Sequence, residues 1–268
     1  MAPVIPSPEA AEREWRAAVA ALYEMTRFDR PRGPVDRCEH CVSEAQAIAL
    51  RAVDREAAPA ELMDRYGFKA MTTWGDVRDF RWFLPRLVEL LGDDPGGIAD
   101  ESVLVGKLEY AGWSAWPAEE HEAIRRAFVA LWRLWLDGGR HWRLPWCPPD
   151  INRPIAADDI LAALARLGVD VAPLVDDLFA RAWDDHALAE EAVWLAEDLA
   201  RAVEATNPFE GEREVARALL DDAAIARLDA LAVRLADADA DGDPAALGDR
   251  LLYVTERLQR RLARHPSG

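Results

Sequence analysis

Oily side chains recur along this chain at intervals of three and four, the period that lines one face of an α-helix. Between residues 9 and 28 such a face is marked by Trp15, Val19, Leu22 and Met25, with Ser7 and Pro8 suited to the N-cap and first turn. Ser43 to Gln46 reads as a capping box that opens a helix through Val53, and Pro59 opens a short helix ending near Tyr66. From Gly75 to Leu91 the stripe is Val77, Phe80, Phe83, Leu84, Leu87 and Leu91, interrupted by Pro85, which should kink the helix or break its hydrogen-bond ladder locally. A helix over Asp100 to Tyr110 follows. Another runs from Pro117 to the Gly138–Gly139 stop, with Ile124, Phe128, Leu131, Trp132, Trp135 and Leu136 as its buried stripe.

Beyond a proline-rich stretch, Arg140 to Pro154, the pattern predicts helices near 156–167, 171–182, 185–205, 212–220, 221–238 and 244–264. Period-two runs are absent and β-branched residues sparse, so no strand is expected. The expected fold is all-α, with helices packed on helices as stacked antiparallel pairs in a HEAT-like solenoid or as two bundles. The prolines suggest a Trp-rich N-terminal lobe over 1–147 and an acidic lobe over 148–268, with one continuous domain as the alternative.

Composition narrows the function classes. The formal net charge is −17, and residues 151–268 hold 24 acidic against 13 basic side chains. That field disfavours nucleic acid and anionic membrane surfaces and suits a protein partner of basic character. No apolar run approaches the roughly 18 residues that span a bilayer. The N-terminus lacks the order of a signal peptide, and the three cysteines are not a disulfide framework, so a cytoplasmic setting is expected. Of the 32 basic residues only Lys69 and Lys107 are lysines, which reads as coding bias.

Candidate chemistry is thin. Cys38-Glu-His-Cys41 spaces two thiolates as a shared metal would need, with His40 or the distant Cys147 as further zinc ligands. Against this, a convincing zinc signal has two such pairs, and lone cysteines commonly pack or lie idle in a loop. A dithiol redox reading lacks the βα junction at which such motifs usually sit. Asp237 to Asp243 resembles the first half of a calcium loop, but Pro244 and Gly248 stand where its second half needs an apolar residue and a glutamate. Lys69, Asp76, Asp79 and Arg86 lie amid aromatics and, with His141 of the Trp-rich loop, could line a polar pocket; helix caps and ion pairs are the competing reading. Phosphate-cradling, dinucleotide and nucleophile-elbow motifs are missing.

The run around Trp74-Gly-Asp-Val and Phe83-Leu-Pro-Arg-Leu, with Leu104, Lys107, Trp113 and Pro117, resembles a family of all-helical bacterial hypothetical proteins for which no activity is established. The similarity covers residues 38–137 clearly and the C-terminal half faintly. It implies a helical fold and a cytoplasmic setting, and it transfers no site residue. The function expected is a non-enzymatic protein–protein interaction module without a resident cofactor. The alternative is a small zinc protein or metalloenzyme built on Cys38 and Cys41.

Overall fold

The first helix is set by its own first turn. Ser7 accepts the N–H of Ala10, Pro8 takes the position where its missing N–H is harmless, and the chain coils through α1 (Pro8–Met25). This computed structural model describes residues 7–31, 33, 35–93, 99–137, 157–204, 222–237 and 244–264. They form eleven α-helices and two short 3-10 turns, and no strand occurs among them. The fold is all-α. The chain divides into two compact units, Met1–Ile155 and Ala156–Gly268.

In the first unit α2 (Glu44–Ala52) starts from the reciprocal Ser43–Gln46 capping box. A 3-10 turn (Arg55–Ala57) leads to α3 (Ala60–Lys69), which runs three residues past the expected end at Tyr66. The extra length buries Tyr66 and Gly67 and carries Lys69 into the last turn. Next, α4 (Val77–Asp93) continues through Pro85, and α5 (Glu101–Tyr110) is capped by Asp100. A second 3-10 turn (Trp113–Ala115) precedes α6 (Ala118–Asp137). The core forms where α1 packs on α6 and α4, and α3 on α4 and α5. Trp15, Leu22, Phe80, Leu84, Leu104, Phe128, Trp132 and Trp135 are closed to solvent there. Close approach of α4 to α1 depends on Gly92, since a β-carbon there would lie 2.5 Å from the Trp15 ring.

Tryptophan density does not translate uniformly into burial. Trp74, Trp113, Trp132 and Trp135 are buried, whereas Trp82 and Trp116 are half-buried beneath guanidinium groups. Arg81 stacks over Trp116 and pairs with Asp29 at 2.9 Å and Glu120 at 2.8 Å, tying α4 to α6 and to the loop after α1.

The second unit comprises α7 (Ala157–Arg166), α8 (Ala172–Ala182), α9 (His186–Glu204), α10 (Asp222–Asp237) and α11 (Pro244–Arg264). Helix α7 ends on Gly168, whose φ of +78° lets Val169 N–H reach back to the Leu164 carbonyl at 3.0 Å. Helix α9 packs on α7, α8 and α11, and α10 on α8 and α11. Gly248 lies at the α10–α11 crossing, where a β-carbon would meet the Ala236 nitrogen at 2.5 Å. The glycine that breaks the calcium-loop pattern is therefore what the crossing requires. The helix expected over 212–220 and the acidic loop after Asp237 lie outside the described residues.

Candidate functional site

The Cys38–Cys41 pair is held by backbone contacts to the loop between α3 and α4. The Cys38 N–H donates to the Thr73 carbonyl at 2.8 Å and the Gly75 N–H to Asp36 at 2.7 Å, while Arg37 and Trp74 form an isolated antiparallel bridge. At Gly75, φ is +74° and a β-carbon would lie 2.8 Å from an Asp79 carboxylate oxygen, so glycine is required at this bend. From Cys38 the chain makes one tight turn, with the N–H groups of Cys41 and Val42 both donating to the Cys38 carbonyl at 3.0 Å. The turn is fixed from outside by Arg37, which donates to the Val42 carbonyl at 2.9 Å, and by Lys69, which donates to the Cys41 carbonyl. Lys107 donates to the Ala70 carbonyl at 2.8 Å. Both lysines of the chain thus secure the backbone around this loop. Burial pushes the Lys107 ammonium below its ordinary pKa.

The two thiols differ. Both side chains are exposed. The Cys38 thiol is lowered in pKa, chiefly by the nearby backbone N–H groups of His40 and Cys41 and then by the Cys41 side chain. The Cys41 thiol is raised, chiefly by the neighbouring Cys38 side chain. Among the described residues no three His, Cys, Asp or Glu side chains converge as metal ligands. Cys147 and His141 lie outside the described residues.

The proposed polar pocket resolves into separate contacts. Asp76 caps α4, its Oδ1 accepting from Arg78 N–H at 2.8 Å and Asp79 N–H at 2.9 Å. Asp79 returns a bond, accepting from Asp76 N–H at 3.0 Å. It is 7% exposed, and burial raises its carboxyl pKa, with Asp76 and Asp36 adding like charge. Arg86 donates to the Ala58 carbonyl at 3.1 Å and to Glu89 at 2.7 Å. Among the described residues, no hydrogen bond or ion pair links Lys69 or Arg86 to the Asp76–Asp79 pair.

A different constellation emerges one loop away. The α1–α2 loop, the end of α2 and the face of α4 enclose a cleft of about 470 Å³, floored by Val35, Leu50, Trp82 and Phe83. Among the described residues that line it are three arginines, Arg30, Arg51 and Arg55, and one acid, Asp54. Asp54 already caps the 3-10 turn. Arg55 is 6% exposed and forms the rigid wall: it stacks 3.8 Å over Trp82 and donates to Thr26 Oγ1 and the Tyr23 carbonyl, each at 2.8 Å, and to the Trp82 carbonyl at 3.3 Å. Burial lowers its pKa. Arg30 and Arg51 are exposed, and neither makes a hydrogen bond or ion pair among the described residues. The sequence conceals this grouping because its members are spread from 30 to 83 and arginine is the ordinary basic residue of the chain.

No described helix is long and apolar enough to cross a membrane. Compared with protein-family models, curated proteins and solved structures, the chain matches none.

Proposed function

We propose that this protein is a non-enzymatic helical interaction module whose recognition element is the arginine-lined cleft of the first unit, and that the cleft receives a short acidic segment of a partner protein. The observation that supports this most is the imbalance of charge among the described lining residues: exposed Arg30 and Arg51 stand with the buried Arg55 against one acid, Asp54, which already caps the 3-10 turn, and Trp82 and Phe83 line the same cleft. Guanidinium forks suit carboxylates because two parallel N–H donors match two oxygens. A volume near 470 Å³ suits a few side chains. The wall is preorganised, since Arg55 is fixed by its own hydrogen bonds, while Arg30 and Arg51 remain available to a ligand.

Composition alone favoured a basic partner, because the chain carries −17 overall. Charges beyond about 8 Å are screened at physiological ionic strength, so the local guanidiniums govern what enters the cleft. The helix pairs of the second unit would then act as scaffold or carry a second contact surface. The test is a calorimetric titration of the full chain with two peptides of equal length, one rich in glutamate and aspartate, the other with every acid replaced by lysine. Saturable binding of the acidic peptide and none of the basic one is expected. Binding of the basic peptide alone would refute the reading.

A further inference from the structure

Two thiols held in one exposed turn invite a reaction that a packed or idle cysteine does not. A hydrogen bond from the fourth residue of a turn to the first keeps their α-carbons within about 7 Å, and a disulfide needs roughly 4.4 to 6.8 Å. The Cys41 N–H to Cys38 carbonyl bond of 3.0 Å supplies that closure. Both sulfurs are open to solvent. The turn is braced from outside by Thr73, Arg37 and Lys69, so ring closure demands little movement of the fold. Among the described residues no third ligand converges on the pair.

We infer that Cys38 and Cys41 form a thiol–disulfide exchange centre, with Cys38 the attacking sulfur, Cys41 the resolving one, and a low-molecular-weight disulfide as co-reactant. The Cys38 thiolate attacks one sulfur of the co-reactant, forming a mixed disulfide and expelling the other half as a thiolate. Cys41 then gives its proton to solvent and attacks the Cys38 sulfur, forming the Cys38–Cys41 bond and releasing the second half as a thiolate. Two protein thiols are oxidised by two electrons, and one external disulfide is reduced to two thiols. The closed turn and the exposure of both sulfurs carry the exchange, and the thiol pKa, lowered at Cys38 and raised at Cys41, agrees with these roles. The assignment is independent of the arginine cleft.

The experiment uses the full chain carrying Cys147→Ser, reduced and then equilibrated with glutathione disulfide and glutathione in graded ratios. Intact mass should fall by two hydrogens as the ratio rises, return on adding dithiothreitol, and map to a Cys38–Cys41 peptide. The further change Cys41→Ser should lose ring closure and accumulate one glutathione on Cys38. Cys38→Ser should lose closure without comparable accumulation on Cys41. Alkylation with iodoacetamide adds a readout that simple exposure would not give: the pH profile of Cys38 should be displaced to lower pH than that of Cys41. Separate glutathione adducts on both cysteines with no ring, equal alkylation profiles, or a stoichiometric zinc retained until chelation would each overturn the assignment.

Discussion

Replacing Arg55 probes how the first unit is joined. Its guanidinium lies at the C-terminal end of α1, where helix carbonyls lack intrahelical partners and a cation is favoured. The Tyr23 carbonyl illustrates the need: the Arg27 N–H turns to Glu24 at 3.3 Å, and Arg55 supplies a donor to Tyr23 at 2.8 Å. The same side chain reaches Thr26 and the Trp82 carbonyl of α4, so it links α1 to α4 through the 3-10 turn. Arg55→Met keeps an apolar stem beside Trp82 but removes the guanidinium hydrogen bonds and the stacking. Each bond to a charged donor contributes about 1.5 to 3 kcal/mol before desolvation of the guanidinium is set against it. A net loss of about 3 kcal/mol is expected, with Arg55→Ala costing roughly 1 kcal/mol more through lost packing. Urea unfolding followed by tryptophan fluorescence reads this directly, because nine of the eleven tryptophans fall in the first unit. The midpoint should fall with the slope unchanged. A methionine variant as stable as the parent would refute the reasoning, since it would mean that burying the charge costs as much as its bonds return.

Other consequences follow from single contacts. Gly248→Ala places a methyl 2.5 Å from the Ala236 backbone, which cannot rotate away, so the strain should outweigh the gain in helix propensity and destabilise the second unit by about 2 kcal/mol in a thermal melt. Among the described residues the buried Tyr66 hydroxyl has no hydrogen-bond partner, so Tyr66→Phe should stabilise the chain by about 1 kcal/mol; clear destabilisation would show that the hydroxyl is satisfied. Asp79 titrates above its ordinary 3.8 because burial disfavours its charge, so the folded state holds the proton more tightly than the unfolded chain does. Its contribution to stability therefore falls as pH rises from 3.8 through the folded-state value. Asp79→Asn should flatten that part of the stability–pH curve while keeping an acceptor for Asp76 N–H.

Local rules carried most of the fold. Caps at Ser7, Ser43 and Asp100 act within three residues, and the apolar stripes of α4 and α6 are complete within their own helices, so both could be read from the chain alone. The end of α3 could not, because burial of Tyr66 and Gly67 against other helices extends it. Pro85 interrupts the sequence pattern, yet α4 runs through it with Phe83, Leu84 and Pro85 itself buried. Tertiary packing outweighs the missing donor there. The cysteine turn was visible as spacing, but the asymmetry between its thiols depends on donors placed by folding, and its braces, Thr73 and Lys69, lie some thirty residues on. Lysine scarcity resembled coding bias; the structure gives both lysines backbone carbonyls of one region to hold. The arginine cleft was illegible because three separate stretches build it.

Charge reversal at the two available guanidiniums tests the account most directly. Arg30 and Arg51 are exposed and make no hydrogen bond or ion pair among the described residues, so Arg30→Glu/Arg51→Glu should leave the urea midpoint unchanged. Binding of the acidic peptide should weaken at least about a hundredfold in the double variant, from two lost charge-assisted contacts, and the parent's affinity should fall as salt rises. Equal affinity in parent and variant, with both chains folded, would contradict it.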